Sequence, residues 1–245
     1  MSRQNMYDDP EFVKGYREVR AKEKNYNNQY EQPAIRSLLP DPTGLRVLDL
    51  GCGSGGTCRY LVERGAASVL GTDISVEMLG DARSRTTNTP GITYQHIAME
   101  DLDLPDGSID LIVSSLAIQY VADYAGLVAK IARWLSSGGR LVFSIEHPVI
   151  TGSDEVWVRD QNGNKTSWPL DKYSIEGPRE RHWIVDGVIK YHRRMETTLN
   201  TLIENGLTIE RILEPVPDAA AIERYPQLTD ELVRPLFLFV RARKG

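Results

Sequence analysis

Short apolar stretches alternate along the chain with segments whose apolar positions recur at helical spacing, the pattern of a parallel sheet wrapped by helices. Leu45–Leu50, Ala67–Thr72, Ile92–Ala98, Ile109–Ser115 and Gly139–Glu146 read as strands. Between them, Ser75 stands as the cap of a helix with Glu77 in its first turn. Leu127, Val128, Ile131, Trp134 and Leu135 share a helical face until Gly138-Gly139 ends the run. After a long excursion come a helix near Thr197–Asn205, a strand at Thr208–Leu213 and a final strand at Leu236–Arg243. The fold predicted is α/β, doubly wound and mostly parallel.

With 245 residues, the chain suits a single domain over 1–245, since α/β sheets of this size commonly stay undivided. A net charge of −5, without a Lys/Arg cluster interleaved with aromatics, argues against a nucleic-acid partner. No run approaches the ~20 apolar residues of a membrane span, and the polar start is no signal peptide. A cytoplasmic protein without a membrane partner is therefore expected. Cys52 and Cys58 are the only cysteines, too few for a disulfide framework, and no Cys/His set suggests a metal. Cys52 reads as a small residue filling a turn.

That turn carries the chemistry. Residues 47–56 read Val-Leu-Asp-Leu-Gly-Cys-Gly-Ser-Gly-Gly, a strand turning sharply into a helix, where missing side chains let backbone N–H groups approach a ligand. Asp73, behind Ser68–Thr72, is spaced to hold a ribose diol. Gly51, Gly53 and Gly56 also satisfy the dinucleotide fingerprint, so a nicotinamide enzyme stays open on the glycines alone.

With Asp49 two residues before Gly51, the chain resembles the class I methyltransferases that use S-adenosylmethionine. Four ordered stretches carry the resemblance: Val47–Gly55, Gly71–Ser75, Asp101–Asp110 and the region around Leu135–Leu141. The resemblance implies a seven-stranded Rossmann-like sheet closed by an antiparallel C-terminal hairpin, and a turn that receives an amino acid and a ribose instead of a pyrophosphate. It implies S-adenosyl-L-methionine as cofactor and S-adenosyl-L-homocysteine as product.

On that basis Gly51, Cys52 and Gly53 approach the methionine part, Asp73 the ribose, and Ile74 and Met78 one face of the adenine. Many relatives carry an acid where Ala98 stands, so the adenine edge is left to the Met99 N–H with Glu100 or Asp101. Ser114, Ser115 and Leu116, at the fourth strand's exit, are expected beside the sulfonium. Residues 1–32 are expected to form a lid, with Tyr7 near the transferring methyl and Arg20 and Asn28 at the cofactor's amino-acid end. Phe12, Val13 and Tyr16 share a helical face and read as plain packing.

Residues 147–194 interrupt the core where relatives insert substrate-binding elements. Within them Arg181–His192 reads as a hairpin with Asp186-Gly187 as its two-residue turn. That register sends Trp183 and His192 to one face, as an aromatic wall for a flat acceptor, and His182 and Tyr191 to the other. His147, directly after the fifth strand, is a candidate base by virtue of a pKa near neutrality, and a better one than His96.

Over its whole length the chain is similar to bacterial small-molecule methyltransferases of secondary metabolism, including those that N-methylate the azapteridine of toxoflavin biosynthesis. Transfer to a nitrogen or oxygen of a small planar molecule is expected. O- or C-methylation of a quinone or carboxylate is the alternative within the class. Outside it stand an NAD-dependent oxidoreductase, which Asp49 disfavours, and a silent cofactor-binding module, which the excursion disfavours. Oligomeric state is not legible.

Overall fold

The computed structural model describes residues 4–22, 25, 27–87, 89–153 and 157–245. Its centre is a seven-stranded sheet in the order β10-β11-β5-β4-β1-β2-β3. The strands are β1 Arg46–Leu50, β2 Ser68–Asp73, β3 Ile92–His96, β4 Ile109–Ser115, β5 Leu135–Glu146, β10 Leu207–Leu213 and β11 Phe237–Lys244. All neighbours pair in parallel except β11, which runs antiparallel to β5 and to β10. The strand order reverses between β1 and β4, which leaves a crevice beyond their carboxyl ends.

Side-chain alternation on β1 explains the two layers. Leu48 and Leu50 pack with Leu127, Val128, Ile131 and Trp134 of helix α5 (Tyr124–Trp134). Val47 packs on the opposite face, with Ile35 and Leu38 of α2 (Gln32–Leu38) and Leu61 of α3 (Gly56–Glu63). Each such fully buried side chain is worth about 1.5–3 kcal/mol, so the central strands are firmly held. Asp49 shares Val47's face and is sealed under α3. α4 (Val76–Ser84) follows β2, capped by the Ser75 side chain, which accepts the Met78 N–H.

Three features depart from the sequence expectations. Leu135 is not the last residue of α5: it begins β5, because its extended backbone (ψ 136°) ends the helix after Trp134. The closing strands β10 and β11 do pair antiparallel, but residues 214–236 separate them, carrying α8 (Ala219–Arg224) and a 3-10 helix at Pro226–Leu232. The hairpin of β8 (Gly177–Trp183) and β9 (Val185–His192) turns at Ile184, whose φ is 69°, and not at Asp186-Gly187. Gly187 lies inside β9 with φ 78°, and the register shifts between Arg181 and Trp183, so the glycine accommodates a bulge.

The rest of the excursion comprises α6 (Pro148–Thr151) and a small ribbon, β6 (Val158–Arg159) with β7 (Lys165–Ser167); α7 (Met195–Glu204) follows it. At the N-terminal end, a single 3-10 turn at Met6–Asp8 precedes α1 (Pro10–Ala21), whose N-cap Asp9 accepts the N–H groups of Glu11 and Phe12. Among the described residues no helix is long and apolar enough to cross a membrane.

Candidate active site

The turn after β1 is built around backbone contacts. Gly51 and Cys52 both donate to the Thr72 carbonyl, at 2.8 and 2.9 Å, which ties β1 to β2. Gly51 has φ 74°, and a Cβ there would lie 2.4 Å from Ala117 Cβ, so no other residue fits without displacement. Around Gly53 (φ 52°) a Cβ would meet nothing within 4 Å, so its backbone faces open space.

Two carboxylates flank this turn. Asp73 accepts the Gly53 N–H at 2.8 Å on one oxygen and the Ser75 N–H at 2.9 Å on the other. Burial raises its pKa, and those two amides partly offset the effect. Asp49 is 1% exposed and, among the described residues, its side chain accepts only a Cys58 thiol, at 3.2 Å. Burial, with the negative Asp73 and Glu31 nearby, pushes its carboxyl up to about 7 against that thiol's opposing pull. An opposite charge placed beside it would favour the ionised form.

The turn opens into a cavity of about 1810 Å³. Of the residues expected at the site, Tyr7, Arg20, Asn28, Gly51, Cys52, Gly53, Asp73, Ile74, Met78, Met99, Glu100, Ser115, Leu116 and Trp183 line it. Between Glu100 and Asp101, only Glu100 lines the cavity. Ser114 does not: it is fully buried and donates to the Leu50 carbonyl at 2.8 Å, bracing β4 on β1. Leu116 holds φ 51°, rare for a non-glycine residue, with its N–H held by the Ser144 carbonyl and side chain at 3.0 and 3.1 Å.

The N-terminal segment is sewn over this cavity. Gln4 exchanges two bonds with β9, donating to the Gly187 carbonyl at 2.6 Å and accepting the Ile189 N–H at 2.8 Å. Asn5 donates to Ile74 O at 3.1 Å, and Asp8 accepts the Ser75 hydroxyl at 2.6 Å and the Val76 and Glu77 amides at the start of α4. The hairpin tip meets α1 at Gly15, where a Cβ would lie 2.4 Å from Ile184 Cγ2.

Tyr7 sits among four rings, with centroids 4.8 Å from Phe12, 5.3 Å from Tyr16, 6.2 Å from Trp183 and 6.4 Å from Tyr120, all edge-on. Burial, with Tyr120 and Tyr16 close by, holds its pKa well above 10. Phe12 and Tyr16 also line the cavity, so that face of α1 is more than plain packing.

The two candidate imidazoles are not at the cavity wall. His147 is 3% exposed; its Nε2–H donates to Glu214 at 2.6 Å and its Nδ1 accepts the Val149 N–H at 3.0 Å, capping α6. Burial lowers its pKa against the pull of Glu214. His192 is fully buried, with Nε2–H donating to the Tyr173 carbonyl at 2.8 Å and Nδ1 paired with the Thr151 hydroxyl at 2.7 Å. Burial lowers its pKa as well. Trp183 and His192 do share the more buried face of the hairpin, but at opposite ends of it. Trp183, beside the tip, lines the cavity, whereas His192, paired with Gly177, lies against α6; His182 and Tyr191, on the other face, also reach the cavity lining. His96 is bound to the Ile74 carbonyl at 2.8 Å.

Several site residues carry no motif. Glu31, fully buried, accepts the Ser144 and Ser115 hydroxyls at 2.6 and 2.8 Å and the Gln32 amide at 2.8 Å, pinning the N-terminal segment to the ends of β4 and β5. Tyr120 completes the aromatic wall. Glu146, at the end of β5, pairs with Lys190 of β9, which lies 5.2 Å from the Trp183 ring centre. Glu146 Oε2 is buried without a hydrogen bond among the described residues. Only their position in space distinguishes these residues, although Glu146 was legible as a strand exit. Among the described residues no group of His, Cys, Asp and Glu side chains could hold a metal.

A crevice at the β1/β4 switch point, a glycine turn and an acid at the end of β2 define a nucleoside-cofactor enzyme of the doubly wound class. The family described as Methyltransferase domain matches residues 48–143. An S-adenosylmethionine-dependent methyltransferase of Mesorhizobium loti is 46% identical, with a TM-score of 0.81 over 87% of this chain and 97% of that one. An uncharacterised Haemophilus influenzae protein is 36% identical over 98% of this chain and 97% of its own length. The chain belongs to the S-adenosylmethionine-dependent methyltransferases, and S-adenosylmethionine is its cofactor.

Two further relatives span about half of each chain. Trans-aconitate 2-methyltransferase of Acidovorax sp. (strain JS42) is 33% identical over 51% of this chain and 47% of its own. Demethylmenaquinone methyltransferase of Tropheryma whipplei (strain Twist) is 40% identical over 47% and 48%.

Proposed function

We propose that this enzyme methylates a nitrogen or oxygen of a small, planar molecule. The observation that carries the reading is that the glycine turn and an aromatic chamber walled by Tyr7, Tyr120 and Trp183 belong to one cavity, with the N-terminal segment and the hairpin folded across it. Such a cover suits an acceptor small enough to be enclosed. Residues 1–32 and 147–194 then act as lid and substrate-binding elements of one domain, with neither nucleic acid nor membrane as partner.

When bound, the cofactor supplies a methyl already activated for in-line displacement, so the protein's task is positioning and exclusion of water. The Gly51–Gly53 backbone admits the methionine part, and Arg20 and Asn28 take its carboxylate. Asp49 balances the cationic charge. Asp73 retains lone pairs beyond its two amide bonds for the ribose hydroxyls. Ile74 and Met78 flank the adenine, and Met99 and Glu100 meet its edge. Ser115 and Leu116 face the sulfonium.

Tyr7 keeps its proton throughout the physiological range and so serves as donor and cover, not as base. With both imidazoles turned away, the group placed to accept an acceptor's proton is Glu146, paired with Lys190 and with Oε2 without a hydrogen bond among the described residues. A flat azapteridine, as in toxoflavin biosynthesis and secondary metabolism, suits the aromatic walls. The trans-aconitate and demethylmenaquinone relatives favour an acid or quinone acceptor, a second reading within the same chamber.

The test is calorimetry with S-adenosylhomocysteine, then methyl transfer from labelled S-adenosylmethionine to azapteridines, quinones and organic acids. Saturable cofactor binding with a labelled small-molecule product supports the reading. Failure to bind S-adenosylhomocysteine, or label entering only protein or nucleic acid, overturns it.

A further inference from the structure

Glu31 is fully buried where the N-terminal segment meets the sheet, and both of its carboxylate oxygens are engaged. Oε1 accepts the Ser144 and Ser115 hydroxyls at 2.6 and 2.8 Å, and Oε2 accepts the side-chain amides of Gln32 at 2.8 Å and Asn27 at 3.3 Å. An ionised carboxylate has about four lone-pair sites and no hydrogen, so it alone satisfies all of these donors. None of them is charged. Burial raises the Glu31 pKa, against the pull of the bonds from Ser144, Ser115 and Gln32 and of the more distant Arg20.

The partners of Glu31 are not equivalent. Ser115 ends β4 and lines the cavity, whereas Ser144 is fully buried. The glycine turn lies against that strand exit, since a Cβ on Gly51 would come 2.4 Å from Ala117 Cβ. A hydroxyl has one hydrogen, and Ser115 commits it to Glu31, so its oxygen keeps only lone pairs for other groups. The Gln32 amide stands 3.4 Å from that oxygen, at the outer limit of a hydrogen bond, and leaves it acceptor capacity. Leu116, next in the chain, is held at φ 51° by the Ser144 carbonyl and hydroxyl, and that hydroxyl is fixed in turn by Glu31. One carboxylate therefore sets the sense of the Ser115 hydroxyl and steadies the strained backbone beside it. Its charge also reaches the turn, where it helps to raise the Asp49 carboxyl.

We propose that Glu31 makes the site prefer the charged cofactor to its neutral product: it engages the Ser115 hydrogen, so that this hydroxyl meets the sulfonium with lone pairs alone, and it sets a buried negative charge behind them. The proposal rests on the methyltransferase reading, which puts Ser115 beside the sulfonium, and deepens it. S-adenosylmethionine has a positive sulfur, S-adenosylhomocysteine a neutral thioether, and the amino acid, ribose and adenine are common to both. Groups that act on the shared parts change the two affinities together. A charge acting on the sulfonium changes their ratio. A buried anion whose bonded partners are all neutral keeps more of its field than an exposed, screened one. Easier release of the spent cofactor is the consequence for turnover.

The test is calorimetry on the full-length protein with S-adenosylmethionine, S-adenosylhomocysteine and sinefungin, whose ammonium group stands in place of the S-methyl. All titrations are run at pH 8.5, above the value of about 7 at which Asp49 titrates, so that Asp49 is ionised in every variant. The readout is the ratio of the S-adenosylhomocysteine to the S-adenosylmethionine dissociation constant. Glu31→Gln keeps the shape and removes the charge, and it should lower that ratio by about fivefold or more. Sinefungin should lose affinity along with S-adenosylmethionine. Ser115→Ala should lower the ratio by about threefold or more, and as a small deletion at a strand exit it decides the matter if Glu31→Gln does not fold. A smaller drop in either folded variant overturns the proposal. Equal weakening of both ligands in Glu31→Gln marks a structural role only and overturns it too, as does sinefungin that follows S-adenosylhomocysteine. Failure of the wild type to bind S-adenosylhomocysteine is a separate result, and it removes the methyltransferase reading itself.

Discussion

The end of the cavity proposed for the cofactor is made of strand ends and backbone, whereas the end proposed for the acceptor is walled by side chains brought together from segments remote in sequence. Gly51, Cys52 and Gly53 are placed by bonds to Thr72 and Asp73 on the neighbouring strand, all within one βαβ unit. Tyr7, Tyr120, Trp183, Glu146 and Arg234 converge only because the N-terminal segment, the excursion and the β10–β11 connection fold over the same strand ends. The first arrangement serves a constant ligand and tolerates little change, because its groups are fixed by the central sheet. The second can vary its acceptor by exchanging side chains without disturbing that sheet.

The largest effect should fall at the cofactor end. Asp73→Ala removes the acceptor of the Gly53 and Ser75 amides and of the expected ribose bonds. Calorimetry should show S-adenosylhomocysteine affinity reduced by roughly 1.5–3 kcal/mol, the scale for hydrogen bonds to a charged group. Unchanged affinity in a folded variant would break the division between the two ends.

A second test concerns pH. The Asp49 carboxyl titrates at about 7 against an ordinary 3.8, so the folded protein keeps a proton that the unfolded chain has lost. Stability from this group therefore falls as pH rises between those values and is flat above them. A cationic ligand favours the ionised form, so S-adenosylmethionine should bind more tightly from pH 5 to pH 7, by at most about tenfold per pH unit. Asp49→Asn should flatten the profile. Binding is the better readout, since Glu231 also titrates at about 7 and would complicate melting curves.

At the other end, His192→Ala should leave S-adenosylhomocysteine affinity unchanged yet lower folding stability by roughly 1–2 kcal/mol, because it strands the Thr151 hydroxyl and the Tyr173 carbonyl. Trp183→Ala, by contrast, should weaken acceptor use with little loss of cofactor affinity. A reversal of these two results would put His192, and not Trp183, at the cavity wall. Tyr7→Phe should cost about 1 kcal/mol of stability or less and leave the pH profile of methyl transfer unchanged between pH 7 and 9. Tyr7→Ala, which removes the ring contacts to Phe12, Tyr16 and Trp183, should reduce turnover more.

Local patterns made the sheet legible. Ile109–Ser115 matches β4 end to end, and the other core strands differ from expectation by a few residues at their termini. The glycine turn and the acid beside it were legible too, because a glycine at positive φ and an acid one strand away are determined by short-range sterics and hydrogen bonding. Leu135 was misread because its apolar side chain suits a helix face and a strand equally well, and backbone geometry decided the matter. Asp186-Gly187 was misread because the same glycine that permits a two-residue turn also permits a bulge; packing of Ile184 on Gly15 accompanies the second outcome.

What the sequence by itself determined was therefore the architecture, the cofactor class and the glycine turn after β1, since each depends on residues adjacent in the chain or one strand apart. The tertiary structure alone decided which polar groups face the cavity. His147 and His192 spend both ring nitrogens on neighbouring elements, while Glu31 and Glu146 take their roles from partners between 44 and 113 residues away. Hydrogen-bond saturation of a buried side chain depends on every element packed around it, and no local spacing encodes that.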